Sequence, residues 1–177
     1  MTKQKEKKAI LGATRRIREG WLAVGVTEMG LACLCLPQTT RQGAERIIMQ
    51  KLAPLQAIFK ASPHPIQQYL DPLEGYLQGE VKDFSIPLDL ENGSEFDRSV
   101  WEGARLIPYG ETKSYAWLGA AIGRPGSARA VGGSLGRNPL PIVIPCHRII
   151  KSDGTLGGFG AGLKWKHRLL NLEARFR

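Results

Sequence analysis

The sequence has no apolar stretch long enough to cross a bilayer, which argues against a membrane-spanning protein. Its lysine-rich start lacks the apolar core that a signal peptide needs. The 3 cysteines are odd in number and irregularly spaced, which argues against a disulfide framework and for a reducing compartment. From these absences we expect a cytoplasmic protein with no membrane partner.

Acidic residues are scarce in the second half of the chain. Residues 98–177 contain 13 basic and 4 acidic residues, whereas residues 1–97 contain 12 of each, so the whole net charge of +9 belongs to the second half. A basic half beside a neutral half indicates a polyanionic partner, most simply a nucleic acid. A solvated charged face would give the same count, so the charge alone does not decide between the two.

The remaining composition is that of a globular chain, with 42% hydrophobic and 23% charged residues. The polar, turn-rich segment 87–93 predicts a boundary between an N-terminal domain, residues 1–92, and a C-terminal domain, residues 93–177. The patterns of the first domain predict a poorly ordered basic start, a hairpin of strands 21–27 and 31–36, and helices 41–59 and 66–77. We therefore expect an α/β protein of the α+β kind.

The C-terminal domain is predicted to be mostly helical. Segment 96–106 is amphipathic, and segments 114–122 and 127–135 each begin at a serine suited to an N-cap. Only four residues separate these two short helices, which predicts a helix-turn-helix, with a plain αα-hairpin as the alternative. A last helix, residues 163–173, places Glu173 beside its apolar stripe.

The second helix of the predicted helix-turn-helix has two different faces. One face carries Ala128, Val131 and Leu135, and the other carries Arg129, Gly132, Gly133 and Gly136. Each glycine inside a helix costs about 1 kcal/mol relative to alanine, so several of them indicate that something approaches the backbone closely. The arginine on the same face favours insertion into a narrow groove of DNA. Close helix–helix packing is the alternative, but it leaves Arg129 unexplained.

A cysteine stands beside a histidine at the end of an apolar run. The run, residues 140–144, is short and rich in β-branched residues, which predicts a buried strand. Cys146 and His147 come just after it. Such a strand would present the thiol at a fixed point, as a nucleophile requires, whereas an inert buried thiol is the alternative. Cys33 and Cys35 share one face of a predicted strand without a histidine at metal-ligand spacing, so we interpret them as core thiols.

Most of the second half, residues 96–173, resembles the 6-O-alkylguanine-DNA alkyltransferases, a family of direct-reversal DNA repair proteins. The matching segments are residues 100–101, 107–110, 112–115, 128–132, 138–142 and 144–148, followed by a glycine-rich loop and Glu173. Residues 1–92 resemble the family's N-terminal domain only in size and in the order of hairpin and helices. The resemblance implies an RNase H-like N-terminal domain and a C-terminal domain with a winged-helix-like helix-turn-helix.

The resemblance also implies the reaction, a single-turnover transfer of the alkyl group from 6-O-methylguanine in DNA, with 4-O-methylthymine as a further candidate substrate. Cys146 would accept the alkyl group, and His147 would take the thiol proton through a water while Glu173 holds the other imidazole nitrogen. Tyr115 would hydrogen-bond the departing guanine, and Asn138 would brace the turn before the cysteine. Full ionisation of a thiol gains only about 2 kcal/mol, so positioning must supply most of the rate.

Contacts with DNA and with the base follow from the same resemblance. Arg129 would fill the gap that a flipped-out base leaves. Further DNA contacts are expected from Ser114, Tyr115, Ala128, Gly132, Gly133 and Arg137. The substrate pocket is expected to contain Tyr115, Cys146, Ile149, Phe159, Gly160 and Ala161. Phe159 and Ala161 stand where tyrosine and glycine are frequent in the family, which puts the tolerance of bulky alkyl groups in question.

The resemblance calls for no cofactor, and the sequence offers no set of metal ligands. The expected partner is double-stranded or single-stranded DNA that carries alkylated guanine, bound by a monomer. A non-catalytic lesion-binding relative would lack the cysteine, so Cys146 argues against that function. A cysteine hydrolase or a helix-turn-helix regulator fits parts of the pattern, but a hydrolase would turn over. An alkyltransferase stops after one equivalent because a thioether is a poor leaving group.

Overall fold

The computed structural model describes residues 9–52, 58–61 and 66–177. The chain divides into two compact units, Met1–Asp71 with Ser85–Asn92 and Pro72–Phe84 with Gly93–Arg177. The second unit resumes at residue 93, where the sequence predicts a domain boundary, but it also takes in residues 72–84. The packing of this segment, described below, is the reason for that difference.

A four-stranded sheet forms the first unit. Its strands are β1 (Ala9–Ile17), β2 (Gly20–Thr27), β3 (Gly30–Gln38) and β4 (Ile58–Ala61), in the order β3-β2-β1-β4. The pairs β1–β2 and β2–β3 are antiparallel, and β1–β4 is parallel. Helix α1 (Arg41–Leu52) packs against the sheet, and the core contains Ile10, Ala23, Cys33, Cys35, Ala44, Ile48 and Leu52.

The predicted hairpin is confirmed as β2 and β3, and its turn depends on a glycine. Gly30 has a φ of 138°, and a Cβ there would lie 2.3 Å from the carbonyl oxygen of Pro87. A strand at Ala9–Ile17 was not predicted from the basic start of the chain. The prediction of one helix over residues 41–59 was wrong, because α1 ends at Leu52 and Phe59 pairs with Ile10 in the sheet. Pairing with a neighbouring strand outweighs local periodicity there.

The second unit contains most of the helices. Its elements are the end of α2 (Gln67–Gln78), α3 (Glu95–Arg105), β5 (Lys113–Ser114), α4 (Tyr115–Ala121), α5 (Ala128–Gly136), a 3-10 helix (Cys146–Arg148), β6 (Ile149–Ile150) and α6 (Leu163–Arg175). An N-terminal sheet followed by a mostly helical region confirms the predicted α+β class. Leu55 and His64 lie outside the described residues. None of the described helices is long and apolar enough to span a membrane.

Helices α4 and α5 form the predicted helix-turn-helix, and local hydrogen bonds fix its turn. Ser114 caps α4 by accepting a 3.0 Å hydrogen bond from the Trp117 amide. Gly123 has a φ of 72°, and the amides of Gly123 and Arg124 donate to the carbonyls of Ala120 and Gly119, which is a Schellman motif. The predicted side-chain cap at Ser127 was wrong, because its hydroxyl donates to the Arg124 carbonyl instead.

The apolar run 140–144 is buried as predicted, but it is a turn rather than a strand. Pro141 and Ile144 form an isolated bridge, and Ile142 between them has a φ of 79°. A β-branched residue in this left-handed region is strained and persists only where its surroundings hold it. Proline also removes a backbone donor, so the run could not complete a strand ladder.

Candidate active site

A tight turn delivers Cys146 to the site. Pro145 has φ −79° and ψ 59°, and the Cys146 amide donates to the Ile144 carbonyl over 2.7 Å. These values describe an inverse γ-turn, which redirects the chain within three residues. Cys146 then begins the 3-10 helix and is only 6% exposed.

Asn138 holds both the turn and the sulfur. Its Oδ1 accepts a 2.8 Å hydrogen bond from the Leu140 amide, and its Nδ2 donates to the Ile144 carbonyl over 2.9 Å. The same Nδ2 lies 3.0 Å from Cys146 Sγ and donates to it. The expected bracing contacts are therefore present, together with a donor to the sulfur that the sequence did not predict. A donor aimed at a thiolate stabilises the charged form.

His147 and Glu173 form the polar pair behind the cysteine. His147 Nε2 lies 2.8 Å from Glu173 Oε1, and both side chains are almost fully buried. His147 Nδ1 is buried without a hydrogen-bond partner among the described residues. Burial lowers the pKa of His147 below its ordinary value, although the hydrogen bond to Glu173 opposes that shift. The imidazole is therefore neutral at pH 7, with Nδ1 able to accept a proton.

The Glu173 carboxylate is shared by several donors. The Arg148 guanidinium donates to both oxygens, through Nε over 3.0 Å and Nη2 over 2.8 Å, and the Gly110 amide donates to Oε2 over 2.9 Å. The Tyr76 hydroxyl donates to Oε1. Burial alone raises the pKa of Glu173, but the hydrogen bonds from His147 and Arg148 outweigh it and lower the value to about 2. Glu173 is therefore ionised, and its charge is balanced by Arg148.

Strand pairing brings Tyr115 close to Cys146. Ser114, the last residue of β5, pairs with Ile150 of β6, just after the 3-10 helix. Burial and the neighbouring Cys146 charge raise the pKa of Tyr115, so its hydroxyl keeps its proton. A Cβ at Gly157 would lie 2.7 Å from this hydroxyl, so glycine permits the loop to approach the ring.

A cavity of about 610 Å³ opens beside the sulfur, a size within the usual range for small-ligand sites. Its walls are the face of α5 that carries Gly132 and Gly136, the loop before α6 and the Tyr115 ring. Ala128 and Leu135, which the sequence predicts on the opposite face of the helix, line the cavity too, whereas Gly133 does not. The lining residues are Tyr115, Ala128, Arg129, Gly132, Leu135, Gly136, Cys146, Lys151, Gly157, Gly158, Phe159 and Gly160. Two expected pocket residues are not among them: Ile149 is fully buried, and Ala161 is exposed.

Lys166 is a site residue that sequence reasoning missed. Its ammonium group is buried and donates to the carbonyls of Ile149, Leu156 and Gly158, the last over 3.3 Å. It also lies over the Tyr115 ring, 5.8 Å from the centroid. Burial lowers the pKa of Lys166 to about 8, while the nearby Cys146 opposes the shift. This cation joins the loop to α6 beside the thiol.

A sequence signal for Lys166 existed. Lys166, Leu169 and Glu173 are the buried residues of α6 and follow the spacing of one helical face. A lysine on an apolar stripe is rarely buried without partners, so its position indicated a buried polar contact. Tyr76 gave no such signal, because it falls on a regular apolar stripe of α2 with Leu73 and Leu77.

The residues expected to contact DNA are only partly brought together. Arg129 is exposed at the cavity rim, with Ala128 and Gly132 beside it. Three others do not line the cavity. Gly133 is exposed on the next turn, Ser114 caps α4, and Arg137 donates to Asp97 over 2.7 Å. Burial opposes the shift, but the Arg137 contact and others lower the pKa of Asp97 to about 2.

No group of three or more histidine, cysteine or acidic side chains is placed to hold a metal within the described ranges. The expected absence of a metal and of a cofactor stays a prediction.

Comparison with known proteins identifies relatives of this chain. Residues 95–175 match the family described as 6-O-methylguanine DNA methyltransferase, DNA binding domain. The methylated-DNA--protein-cysteine methyltransferase of Mycolicibacterium paratuberculosis is 45% identical over 130 residues, which cover 73% of this chain and 78% of that protein. That of Methanosarcina acetivorans is 48% identical over 101 residues, which cover 57% of this chain and 64% of that protein.

Solved structures with related sequences have a similar fold. The crystal structure of Mycobacterium tuberculosis OGT in complex with DNA is 35% identical, covers 94% of each chain and superposes with a TM-score of 0.78. The O6-methylguanine-DNA methyltransferase from Pyrococcus kodakaraensis is 26% identical, with a TM-score of 0.70 over 93% of this chain and 98% of that one. Together with the Cys-His turn and the cavity beside it, these matches confirm the resemblance, and the chain belongs to the methylated-DNA--protein-cysteine methyltransferase family.

Proposed function

We propose that Cys146 accepts, once per protein molecule, the alkyl group of 6-O-methylguanine in DNA, which restores guanine directly. One observation carries this proposal: the sulfur lines a cavity between a glycine-faced helix and a glycine-rich loop. Such a cavity lets a flat base approach the backbone on both sides. The names of the relatives, which include methylated-DNA--protein-cysteine methyltransferases, support the same reaction.

The proposed step is an in-line displacement at the methyl carbon. A bond forms between Cys146 Sγ and that carbon, while the bond from the carbon to guanine O6 breaks. His147 Nδ1 accepts the thiol proton through a water, and Asn138 Nδ2 stabilises the thiolate. The electron pair of the broken bond leaves with the guanine, and Tyr115 donates a hydrogen bond to the ring. The guanine anion then takes up one proton, which balances the proton that His147 accepted from the thiol, and neutral guanine results. The product is S-methylcysteine at position 146. Because a thioether is a poor leaving group, the methyl group stays on the sulfur and the protein does not turn over.

Positioning supplies most of the acceleration. Ionising a thiol fully at neutral pH gains about 2 kcal/mol, whereas holding two reactants in line is worth about 7–11 kcal/mol. The γ-turn at Pro145 and the contact from Asn138 fix the sulfur before any substrate arrives. Because positioning contributes more than ionisation, the sulfur can react from a buried place, and Cys146 is only 6% exposed.

The substrate must leave the duplex to reach the sulfur. A base stacked in a duplex cannot reach a sulfur that is only 6% exposed inside a cavity, so we infer that the modified nucleotide is flipped out of the helix. Arg129, exposed at the cavity rim, would occupy the place that the base vacates. The excess of basic residues in the second half of the chain supports binding to the DNA backbone.

The proposed compartment is the cytoplasm, and the proposed active form is a monomer. None of the 3 cysteines, all of which lie within the described ranges, forms a disulfide bond, and a reducing compartment would keep them in that state. One molecule contains every residue that the proposed step uses.

Intact-protein mass spectrometry tests the proposal. After mixing with duplex DNA that contains 6-O-methylguanine, we expect one added methyl group, located on Cys146 by peptide mapping. The Cys146→Ser variant should remain unmodified while it still binds the duplex. Disappearance of the lesion from DNA while the protein mass stays constant would overturn the proposal. The same assay with a 4-O-methylthymine duplex decides whether that base is also a substrate.

Base flipping is tested separately with Arg129→Ala. Reaction with methylated duplex should slow far more than reaction with the free modified base, because only the duplex requires a replacement for the flipped base. Equal losses on the two substrates would show that Arg129 does not take part in flipping. Arg124→Ala, an exposed change in the turn between α4 and α5, serves as the control for lost positive charge.

A further inference from the structure

Tyr76 is a buried tyrosine that lies outside residues 95–175, the segment matched by the family. Its ring lies 5.5 Å from that of Phe84 and 5.8 Å from that of Tyr109, the latter edge to face. One turn later, a Cβ at Gly79 would lie 2.4 Å from the Phe176 ring. These contacts hold residues 72–84 within the second unit and fix the direction of the Tyr76 hydroxyl.

The hydroxyl reaches two groups of the proposed relay. It donates to Glu173 Oε1 and lies 3.1 Å from His147 Nε2. Burial first, and then the Glu173 charge, raise the pKa of Tyr76, so the hydroxyl stays protonated and remains a donor.

Three atoms therefore form a small triangle: the Tyr76 hydroxyl, Glu173 Oε1 and His147 Nε2. An ionised carboxylate oxygen has no proton to donate, so the 2.8 Å contact with Nε2 requires the proton to be on that nitrogen. The hydroxyl proton points to the charged Oε1, and the phenol oxygen then faces Nε2–H with a lone pair. The opposite tautomer would place a nitrogen lone pair against the carboxylate.

We propose that Tyr76 is a positioning residue for alkyl transfer, which holds His147 in the tautomer that leaves Nδ1 free to accept the thiol proton. This inference rests on the proposed function. It assigns to α2, a helix that begins well before the matched segment, a part in orienting the base of the reaction.

The charges that face His147 set the direction of the expected effect. They are Glu173 and Lys166 on α6 and Arg148 on the 3-10 helix, with Tyr76 as the neutral donor on α2. Removing the hydroxyl leaves one donor fewer on Glu173, so more of the carboxylate charge acts on the imidazole. The pKa of His147 should then rise, and protonation should compete with catalysis at lower pH.

The test compares Tyr76→Phe with Tyr109→Phe. Both variants remove one buried hydroxyl from the same aromatic cluster, but the Tyr109 hydroxyl has no hydrogen-bond partner among the described residues. The measurements are the single-turnover rate with methylated duplex at pH 6 and pH 8, and the ¹⁵N spectrum of the His147 ring. Thermal melting shows that each variant is folded.

We expect Tyr76→Phe to react more slowly at pH 6, by up to about tenfold, with a smaller loss at pH 8, since one hydrogen bond is worth up to about one pH unit. Its His147 Nε2 proton should exchange faster with solvent and the ring should protonate at higher pH, while Tyr109→Phe behaves like the wild type. A pH-independent loss, or the same spectrum in both variants, would overturn the role of Tyr76. If no methyl reaches Cys146 even in the wild type, the proposed function fails, whereas the imidazole spectra still decide the role of Tyr76.

Discussion

Both units of the chain bury cysteine, but the groups around the sulfur differ between them. Cys33 and Cys35 lie on β3, are each 2% exposed and contact the apolar side chains of the sheet core. Burial raises the pKa of Cys33 to about 12 and that of Cys35 to about 11. Cys146 is nearly as buried, at 6%, yet an amide donor, a buried ammonium group and an open cavity surround it.

Exposure alone does not separate these two thiol environments, because the exposed fractions are nearly equal while the groups around each sulfur differ. An apolar core disfavours the thiolate, whereas a hydrogen-bond donor aimed at a sulfur is a group that stabilises one. A reagent that reacts with thiolates should make the difference between the two environments visible, and removal of one group near Cys146 should reduce it.

The largest expected effect is the selectivity of a small alkylating reagent. At pH 8 a thiol with a pKa of about 11 is only about 0.1% ionised, and burial shields Cys33 and Cys35 further. Iodoacetamide should therefore modify Cys146 more than about a hundredfold faster than either of the others. Timed labelling with peptide mass spectrometry measures the three rates, and labelling in denaturant should make them equal. Comparable rates in the native protein would show that the contrast is not real.

Next in size is the loss of the amide beside the sulfur. Asn138→Ala removes the donor to Cys146 Sγ and two hydrogen bonds of the turn, which we expect to slow methyl transfer by about 30-fold at about 1.4 kcal/mol per tenfold. Single-turnover kinetics check the rate, and thermal melting reports the separate cost in stability. Asn171→Ala, which removes an exposed amide on α6, is the control. An unchanged rate per folded molecule would exclude Asn138 from the reaction.

A smaller effect is expected from the buried ammonium group. Lys166→Met keeps the length of the side chain but leaves the carbonyls of Ile149, Leu156 and Gly158 without this donor. Transfer should slow about tenfold, since unpaired buried acceptors loosen the loop that forms the cavity wall. Hydrogen exchange of the loop amides should increase. Lys164→Met, an exposed change on the same helix, should alter neither quantity.

The smallest effect separates two glycines of the same loop. Gly154 and Gly157 both have positive φ, 83° and 67°, so alanine costs about 1 kcal/mol of backbone strain at either position. Only at Gly157 would the new Cβ meet the Tyr115 hydroxyl, at 2.7 Å. Gly157→Ala should lower the transfer rate a few-fold while Gly154→Ala does not, although both lose similar stability on melting. Equal rates would show that Tyr115 can move without consequence.

Local signals made part of this molecule predictable. Serine before α4 and the glycine after it mark the helix ends through hydrogen bonds within a few residues, so the helix-turn-helix could be read directly. The same holds for the hairpin turn at Gly30. Cys146 and His147 were found because they are adjacent in the sequence and follow a buried run.

Other features depend on partners far along the chain. The parallel pairing of Phe59 with Ile10 leaves no mark in the periodicity around Phe59. The run before Cys146 has the composition of a strand, but a side chain, Asn138, makes the hydrogen bonds that a neighbouring strand would supply. Periodicity places Tyr76 on a buried face without naming the carboxylate that it meets on another helix.

The position of residues 72–84 matters to anyone who would dissect the protein. A fragment that starts at residue 93 would lose α2 and uncover Phe176, against which Gly79 packs. In such a fragment Glu173 would also lose the hydrogen bond that the Tyr76 hydroxyl donates to Oε1. A water molecule in its place would not have the fixed orientation of the phenol. Truncated versions intended to isolate the reactive half should therefore begin before Pro72, or they will report on a damaged centre rather than a minimal one.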